Sequence, residues 1–423
     1  MNLHQSQACD LGTLIDSPPQ NGYSPICPEH ATGKWVLGLS ALNGSSLDLS
    51  EAKPAPMNEP MVDRFFLSPG DFLISRSNTL DKVGRVGVFR GGLDNCSYPD
   101  LMMRFRPQLQ KVNPDYLEAY LKSELVVKYI RQHATGTSGS MKKINQSTVA
   151  SIPVLLPSIQ EQKGIARISA AWDAAIEKTE QLIAAKQKRN ELLSNQLLFG
   201  HIRFGQRNIK TTKSLHWFSA PSDWQVVEIG KVAHEISALN GSDDGLPVLS
   251  CTKYDGLVDS LEYFDKQVFS HDTSKYKVVR NGQFAYATNH IEEGSIGYQD
   301  FVDAGLVSPI YTVFQSDAKK IDDGYFYKLL KTEKLRQIFS ARTNSSVDRR
   351  GSLRWKDFTR IHIPLPPLDE QREINAVLDD AKREIVLLQA QVKALKQQKR
   401  GLMQKLLTGQ WRIPIQKGDS THE

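Results

Sequence analysis

The stretch PSIQEQKGI begins at Pro157 and PPLDEQREI begins at Pro366, so the chain writes nearly the same proline, Glu-Gln, isoleucine pattern twice, 209 residues apart. The offset needs no gap. It pairs Ile152 with Ile361, Glu161 with Glu370, Gln162 with Gln371, Leu197 and Leu198 with Leu406 and Leu407, Gly200 with Gly409, and Arg203 with Arg412. A period this long excludes a solenoid and implies a duplicated unit of domain plus helix.

Both copies of this stretch predict one long helix. In the first, Ser158 followed by Glu161 predicts a capping box after Pro157, and Gly200 the stop. In the second, Pro366 and Pro367 mark the entry and Gly409 the exit. Each helix then runs about 40 residues, or about 60 Å at 1.5 Å per residue. Ile165, Ile168, Trp172, Ile176, Ile183, Leu193 and Leu197 keep to one stripe, interrupted at Thr179. Ile374, Val377, Ala381, Ile385, Leu388, Val392, Leu395, Leu402 and Leu406 form the other. A narrow apolar stripe on a polar rod is a coiled-coil seam. Neither rod can bury its length on a domain of its own, but two rods of equal length can bury each other.

Ahead of each helix the pattern is α+β. GDFLISRSN and RVGVFR have echoes in GQFAYATNH and GSIGYQD, each a pair of apolar runs joined by a polar loop. PDYLEAYLKSELVVKYIRQ and DGYFYKLLKTEKLRQIF each predict one short amphipathic helix. Loops rich in Gly, Ser, Thr and cations follow, TGTSGSMKK and TNSSVDRRGSLRWK. The region from Lys34 to Pro69 has almost no counterpart in the second copy. Joining parts that stay alike around globular parts that diverge imply similar attachments and different readings. The predicted divisions are a first domain at 1–157, a helix at 158–200, a second domain at 201–366, a helix at 367–409 and a tail at 410–423. The second domain opens with PSDWQVVEIGKV, whereas the first starts inside the equivalent stretch, at CDLGTLIDS, with Leu11-Gly12 matching Ile229-Gly230. A missing opening strand and a start upstream of Met1 both remain open.

These elements together resemble the specificity subunit of type I DNA restriction-modification systems, over nearly the whole chain. The resemblance implies two target-recognition domains separated by two long antiparallel coiled-coil helices with pseudo-twofold duplication. Each domain would read one half of a bipartite, asymmetric double-stranded DNA target. The helices would dock two methyltransferase subunits that use S-adenosylmethionine, beside restriction subunits that translocate and cut DNA. The chain itself would hold no cofactor and catalyse nothing.

The residues agree with a non-catalytic chain. The nearest approach to an adenine methyltransferase motif, Asp16-Ser17-Pro18-Pro19-Gln20, has an inserted serine and lacks the aromatic residue. No P-loop and no G-x-G-x-x-G after a strand is present. A nuclease pattern from Pro99-Asp100 or Pro114-Asp115 meets its first acid-x-Lys triplet at Glu161-Gln162-Lys163, which belongs to a helix start. The four cysteines are scattered and the histidines show no metal-ligand spacing, so no metal site is expected. A net charge of +6 permits a polyanionic partner without requiring one. No apolar run of about 18 residues predicts a membrane span. The start carries no signal-peptide pattern, which suits a cytoplasmic protein.

If DNA is the ligand, loop cations and amides should position phosphates and read base edges. The candidates are Arg76, Asn78, Arg85, Lys142 and Lys143 in the first domain, and Asn289, His290, Arg349, Arg350, Arg354 and Lys356 in the second. The charges of KQKR (186–189) and KQQKR (396–400) lie on the rods, where they solvate the coiled coil or meet a partner. The alternative function is a duplicated coiled-coil scaffold that holds two protein partners without reading DNA.

Overall fold

The computed structural model describes residues 7–136, 141–205, 207, 211–241, 245–343 and 351–414. By contacts it divides into two compact units, Met1–Glu180 with Ala390–Glu423, and Gln181–Gln389. The long helices are Ile159–Leu198 and Leu368–Leu407. Both end at glycines with positive φ, Gly200 at 69° and Gly409 at 73°, a conformation that glycine adopts without strain.

In the first unit a four-stranded antiparallel sheet runs in the order Gln20–Asn21, Met102–Phe105, Phe72–Ser75, Val86–Val88. In the second, Ala233–Ile236, Tyr311–Ser316, Phe284–Ala287 and Ile296–Tyr298 do the same. The apolar runs of the sequence supply the two last strands in each case. Behind each sheet lie two short helices where one was expected: Pro114–Leu121 and Glu124–His133, then Asp323–Leu330 and Glu333–Arg342. The break falls at Lys122-Ser123 and at Lys331-Thr332. Thr332 Oγ1 caps the next helix by accepting from Leu335 N, and Lys331 Nζ turns to the carbonyls of Lys253 and Gly294.

The first unit does have its opening strand. Gln7–Asp10 pairs antiparallel with Pro153–Leu156, as Gln225–Glu228 pairs with His362–Leu365. The sequence missed it because the stretch is short and matches its counterpart poorly before Leu11.

The helices pair antiparallel, and within each unit the pairing is visible in ion pairs. In the first unit Lys399 meets Asp173 and Lys396 meets Glu180; in the second, Lys186 meets Glu384, and Asn190 Nδ2 donates to Ala381 O. The rod charges thus partly serve each other, and the Lys186 hydrogen bond holds the Glu384 carboxyl below its ordinary range. Every seam position named above is buried or half-buried, whereas Leu182, Leu192, Val386 and Leu387, off the stripe, are exposed.

Each unit closes its core with the start of one long helix and the end of the other. The first core gathers Phe72, Met103 and Tyr116 with Ile165 from the first helix and Met403, Leu406 and Leu407 from the second. The second core gathers Phe284, Phe314, Phe326 and Phe358 with Leu197 and Leu198 from the first helix and Ile374 and Leu378 from the second. Burying a leucine or isoleucine stabilises by about 1.5–3 kcal/mol, so these helix ends are part of the domain interior as much as of the rods.

The repeated Glu-Gln pair sits at these closures. Gln162 Nε2 donates to Pro157 O and its Oε1 accepts from Asn113 N; Gln371 Nε2 donates to Pro366 O and its Oε1 accepts from Asp322 N. Asn113 and Asp322 are the N-caps of the short helices, so each glutamine ties a short helix to the long one. The glutamates reach across to the other copy. Arg203, just past the end of the first helix, forms a two-pronged pair with Glu370, Nε and Nη2 each 2.8 Å from a carboxylate oxygen. Arg412, past the end of the second helix, lies 3.1 Å from Glu161. The expected capping box is therefore half formed: Ser158 Oγ accepts from Glu161 N, while the Glu161 carboxylate faces Arg412.

Candidate nucleic-acid interface

In the first unit the central strand Phe72–Ser75 runs on into Arg76 and the short strand Ser77–Asn78. This pairs antiparallel with Lys142–Lys143, Lys142 opposite Asn78 and Lys143 opposite Ser77. Ser75 N donates to Arg85 O at 2.9 Å. The five candidates of this domain therefore meet on one small ribbon. Arg76 and Arg85 are half-buried, held by the carbonyls of Asp100 (3.4 Å) and Asn43 (3.1 Å). Lys142 Nζ donates to Gly136 O at 2.6 Å, and Lys143 is exposed.

The second unit repeats the frame. Ile144 N donates to Arg76 O at 3.0 Å; Leu353 N, at the matching position, donates to Thr288 O at 2.8 Å. That bond brings the segment carrying Arg354 and Lys356, both exposed, beside Asn289 and His290, both half-buried. Tyr286 Oη donates to Leu353 O and fixes the same junction from below. Arg349 and Arg350 lie outside the described residues.

The side chains on the two frames differ. Where the first has Asn78 and paired lysines, the second has a turn with His290 Nδ1 3.2 Å from Glu293 Oε1 and Glu292 beside them. These three are spaced so that a divalent ion could share them, which the sequence had not suggested; His290 and Glu293 are each about half exposed. Lys253 and Tyr254 were also missed. Lys331 Nζ bonds the carbonyls of both Lys253 and Gly294, which sets the turn next to Tyr254, 78% exposed with Lys253 Nζ 5.1 Å from its ring centre. The turn signature Lys-Tyr-Asp-Gly was the available signal. Among the described residues no helix is long and apolar enough to cross a membrane.

Residues 63–187 and 221–397 match the type I restriction modification DNA specificity domain. A protein of Methanocaldococcus jannaschii named as a type I restriction enzyme MjaX specificity subunit is 23% identical over 93% of this chain and 91% of its own. A solved chain from a study of type I restriction-modification assembly and conformational transition superposes with a TM-score of 0.59 at 16% identity, covering 95% of this chain and 97% of that one. The type I restriction-modification S subunit of M. genitalium superposes with a TM-score of 0.52 at 14% identity, covering 96% and 97%.

Proposed function

Because the chain belongs to the family of type I restriction-modification specificity subunits, we propose that each of its two domains reads one half of a bipartite, asymmetric double-stranded DNA target. The observation that carries this is the shared frame: the same backbone bond, Ile144 to Arg76 and Leu353 to Thr288, holds different side chains in the two units. Equal frames with unequal side chains suit one kind of ligand and two sequences. Arg and Asn are the residue types that read guanine and adenine edges, and lysines bind phosphate as point charges.

The chain contributes recognition, and the chemistry belongs to partners: two methyltransferase subunits with S-adenosylmethionine, and restriction subunits, all in the cytoplasm. Two copies of the proline-entered helix offer two equivalent places to dock. Mass measurement of the assembled modification complex should give two methyltransferase subunits per chain, and a one-to-one complex at saturation would refute the equivalence. The chain alone should transfer no labelled methyl group from S-adenosylmethionine to DNA. The direct test is selection of bound sequences from a random duplex library by the complex: two specified blocks around an unspecified spacer are expected, and a single block or none would sink the reading.

A further inference from the structure

The residues from Lys34 to Pro69 have almost no counterpart in the sequence of the second copy, yet the fold supplies one. In the first unit a small hairpin closes with Leu42 opposite Leu47. In the second, Leu249–Thr252 pairs with Gly256–Asp259, Cys251 opposite Leu257. Each hairpin lies on the glycine in the middle of the last strand of its sheet, Gly87 opposite Leu73 and Gly297 opposite Ala285. A Cβ on Gly87 would come within 2.9 Å of Leu42 and 3.1 Å of Leu47, and one on Gly297 within 2.4 Å of Leu257. Glycine is what lets each hairpin approach its sheet. One lysine, the C-cap of the first short helix, then ties the turn: Lys122 Nζ donates to Ser45 O at 2.6 Å, and its match Lys331 donates to Lys253 O at 2.7 Å.

Both turns are also joined to the candidate interface. Arg85, whose carbonyl accepts from Ser75 N just ahead of Arg76, donates from Nη1 to Asn43 O at 3.1 Å. Lys331 donates to Gly294 O (2.9 Å), next to the turn of His290 and Glu293, and to Ile296 O (3.4 Å). An ammonium has three donors, so all of those of Lys331 are taken by carbonyls and none is left for a ligand. What the turns carry differs. At 43–46 the side chains are small, and Asn43 Oδ1 is occupied by Ser45 N and Ser46 N. At 252–256 stand Lys253, Tyr254 and Asp255, all exposed, Tyr254 at 78%. Asp255 Oδ2 accepts from Tyr263 Oη at 3.4 Å, and Lys253 Nζ lies 5.1 Å from the centre of the Tyr254 ring.

We infer that the clamped turn at 252–256 is a second reading element of the second domain: Tyr254 is its specificity-determining side chain, Lys253 its phosphate contact, and Lys331 the positioning residue that holds both beside His290. The inference rests on the functional reading above and deepens it. A protein that docked alike on both units would ask the same side chains of both turns, whereas two half-sites of different sequence ask for different ones. An exposed ring beside a cation suits duplex DNA, the ring making apolar contact with bases in a groove and the ammonium meeting a nearby phosphate. Because Lys331 pins the backbone at Lys253, little conformational freedom is lost when the ring is engaged.

The test is selection from a random duplex library by the complex of the full-length chain with the methyltransferase polypeptide of its own system. Wild type, Tyr254→Ala, Lys331→Met and Lys331→Arg are compared, with methyltransferase uptake followed by native mass measurement. Tyr254→Ala should keep the first block and lower the preference at one position of the second about tenfold. Lys331→Met removes the tether and no group free to touch DNA, so it should relax that same position, and Lys331→Arg, which keeps donors, should recover it in part. A second block as sharp as that of the wild type with Tyr254→Ala would overturn the inference and leave the functional reading standing. Altered methyltransferase uptake with both blocks unchanged would overturn it too, assigning the turn to a protein. Equal weakening of every position of the second block by Lys331→Met, with 323–342 still protected from hydrogen exchange, would overturn the positioning role. Should Lys331→Met unfold its unit, Tyr254→Ala, a change on an exposed side chain, decides alone. A wild-type complex that selects no second block overturns the functional reading and this inference together.

Discussion

Replacing Arg203 by alanine should destabilise the second unit by about 3–5 kcal/mol, the usual consequence of leaving a buried charge without its partner. Its side chain is 4% exposed and that of Glu370 1% exposed. The Glu370 hydrogen bonds hold the guanidinium above its ordinary pKa, and Asp223 adds a second carboxylate at 2.8 Å. Trp224 Nε1 donates to the same Glu370 carboxylate at 3.1 Å. Without Arg203 that indole is the partner left to Glu370 among the bonds described, and water has little access to replace the guanidinium. Arg203→Met combined with Glu370→Gln should recover much of the loss, because the cost comes from the orphaned charge more than from the missing pair. The counterpart Arg412→Ala should cost less, about 1 kcal/mol or slightly more, since Arg412 is 38% exposed and solvent can take over part of its role. Hydrogen exchange of 323–342 under increasing urea reads the second unit, and exchange of 114–133 the first. An Arg412→Ala effect as large as that of Arg203→Ala would mean that burial does not set the difference.

Removing Lys142 and Lys143 together should flatten the salt dependence of DNA binding by about 1.8 in log–log slope, two phosphate contacts at about 0.9 each. Sequence preference should hardly change, because phosphate contacts position the protein and carry no base information. Arg76→Ala should behave otherwise: about 1–3 kcal/mol lost at one base pair of one half-site, with that position relaxed and the other half-site untouched. In the second unit Arg354→Ala with Lys356→Ala, on exposed side chains, should mirror the lysine result. Binding measured from about 50 to 200 mM salt, together with mapping of methylated sites, separates these outcomes. An Arg76→Ala change that altered both half-sites alike would mean that one unit does not read one half.

The strands that carry the candidate interface were legible, since GDFLISRSN and GQFAYATNH each hold a short apolar run that ends in polar residues, and the loops TGTSGSMKK and TNSSVDRRGSLRWK are rich in cations. That Lys142–Lys143 would pair with Ser77–Asn78 was not legible, because two-residue strands carry no periodicity and their register is set by the sheet behind them. The break of each short helix was visible only as a Lys-Ser or Lys-Thr step inside an unbroken apolar pattern. Lys253 and Tyr254 stayed hidden for a related reason: a turn residue becomes part of a surface only through a neighbour such as Lys331, 78 residues further on.

By itself the sequence determined the two copies, the extent of each rod and the seam along it, because caps, glycine stops and helical periodicity are local properties of a chain. It also marked Glu161, Gln162, Glu370 and Gln371 as special by writing them twice. Only the tertiary structure decided what they touch. Glu370 pairs with Arg203, 167 residues earlier, and Glu161 pairs with Arg412, so each unit is locked by the tail of the other copy's helix. Periodicity tells which side of a helix is buried but not against what. A partner at that separation is chosen when packed cores bring distant segments together, here Leu197 and Ile374 in one core and Leu406 and Ile165 in the other, and charges left inside such closures must then find each other.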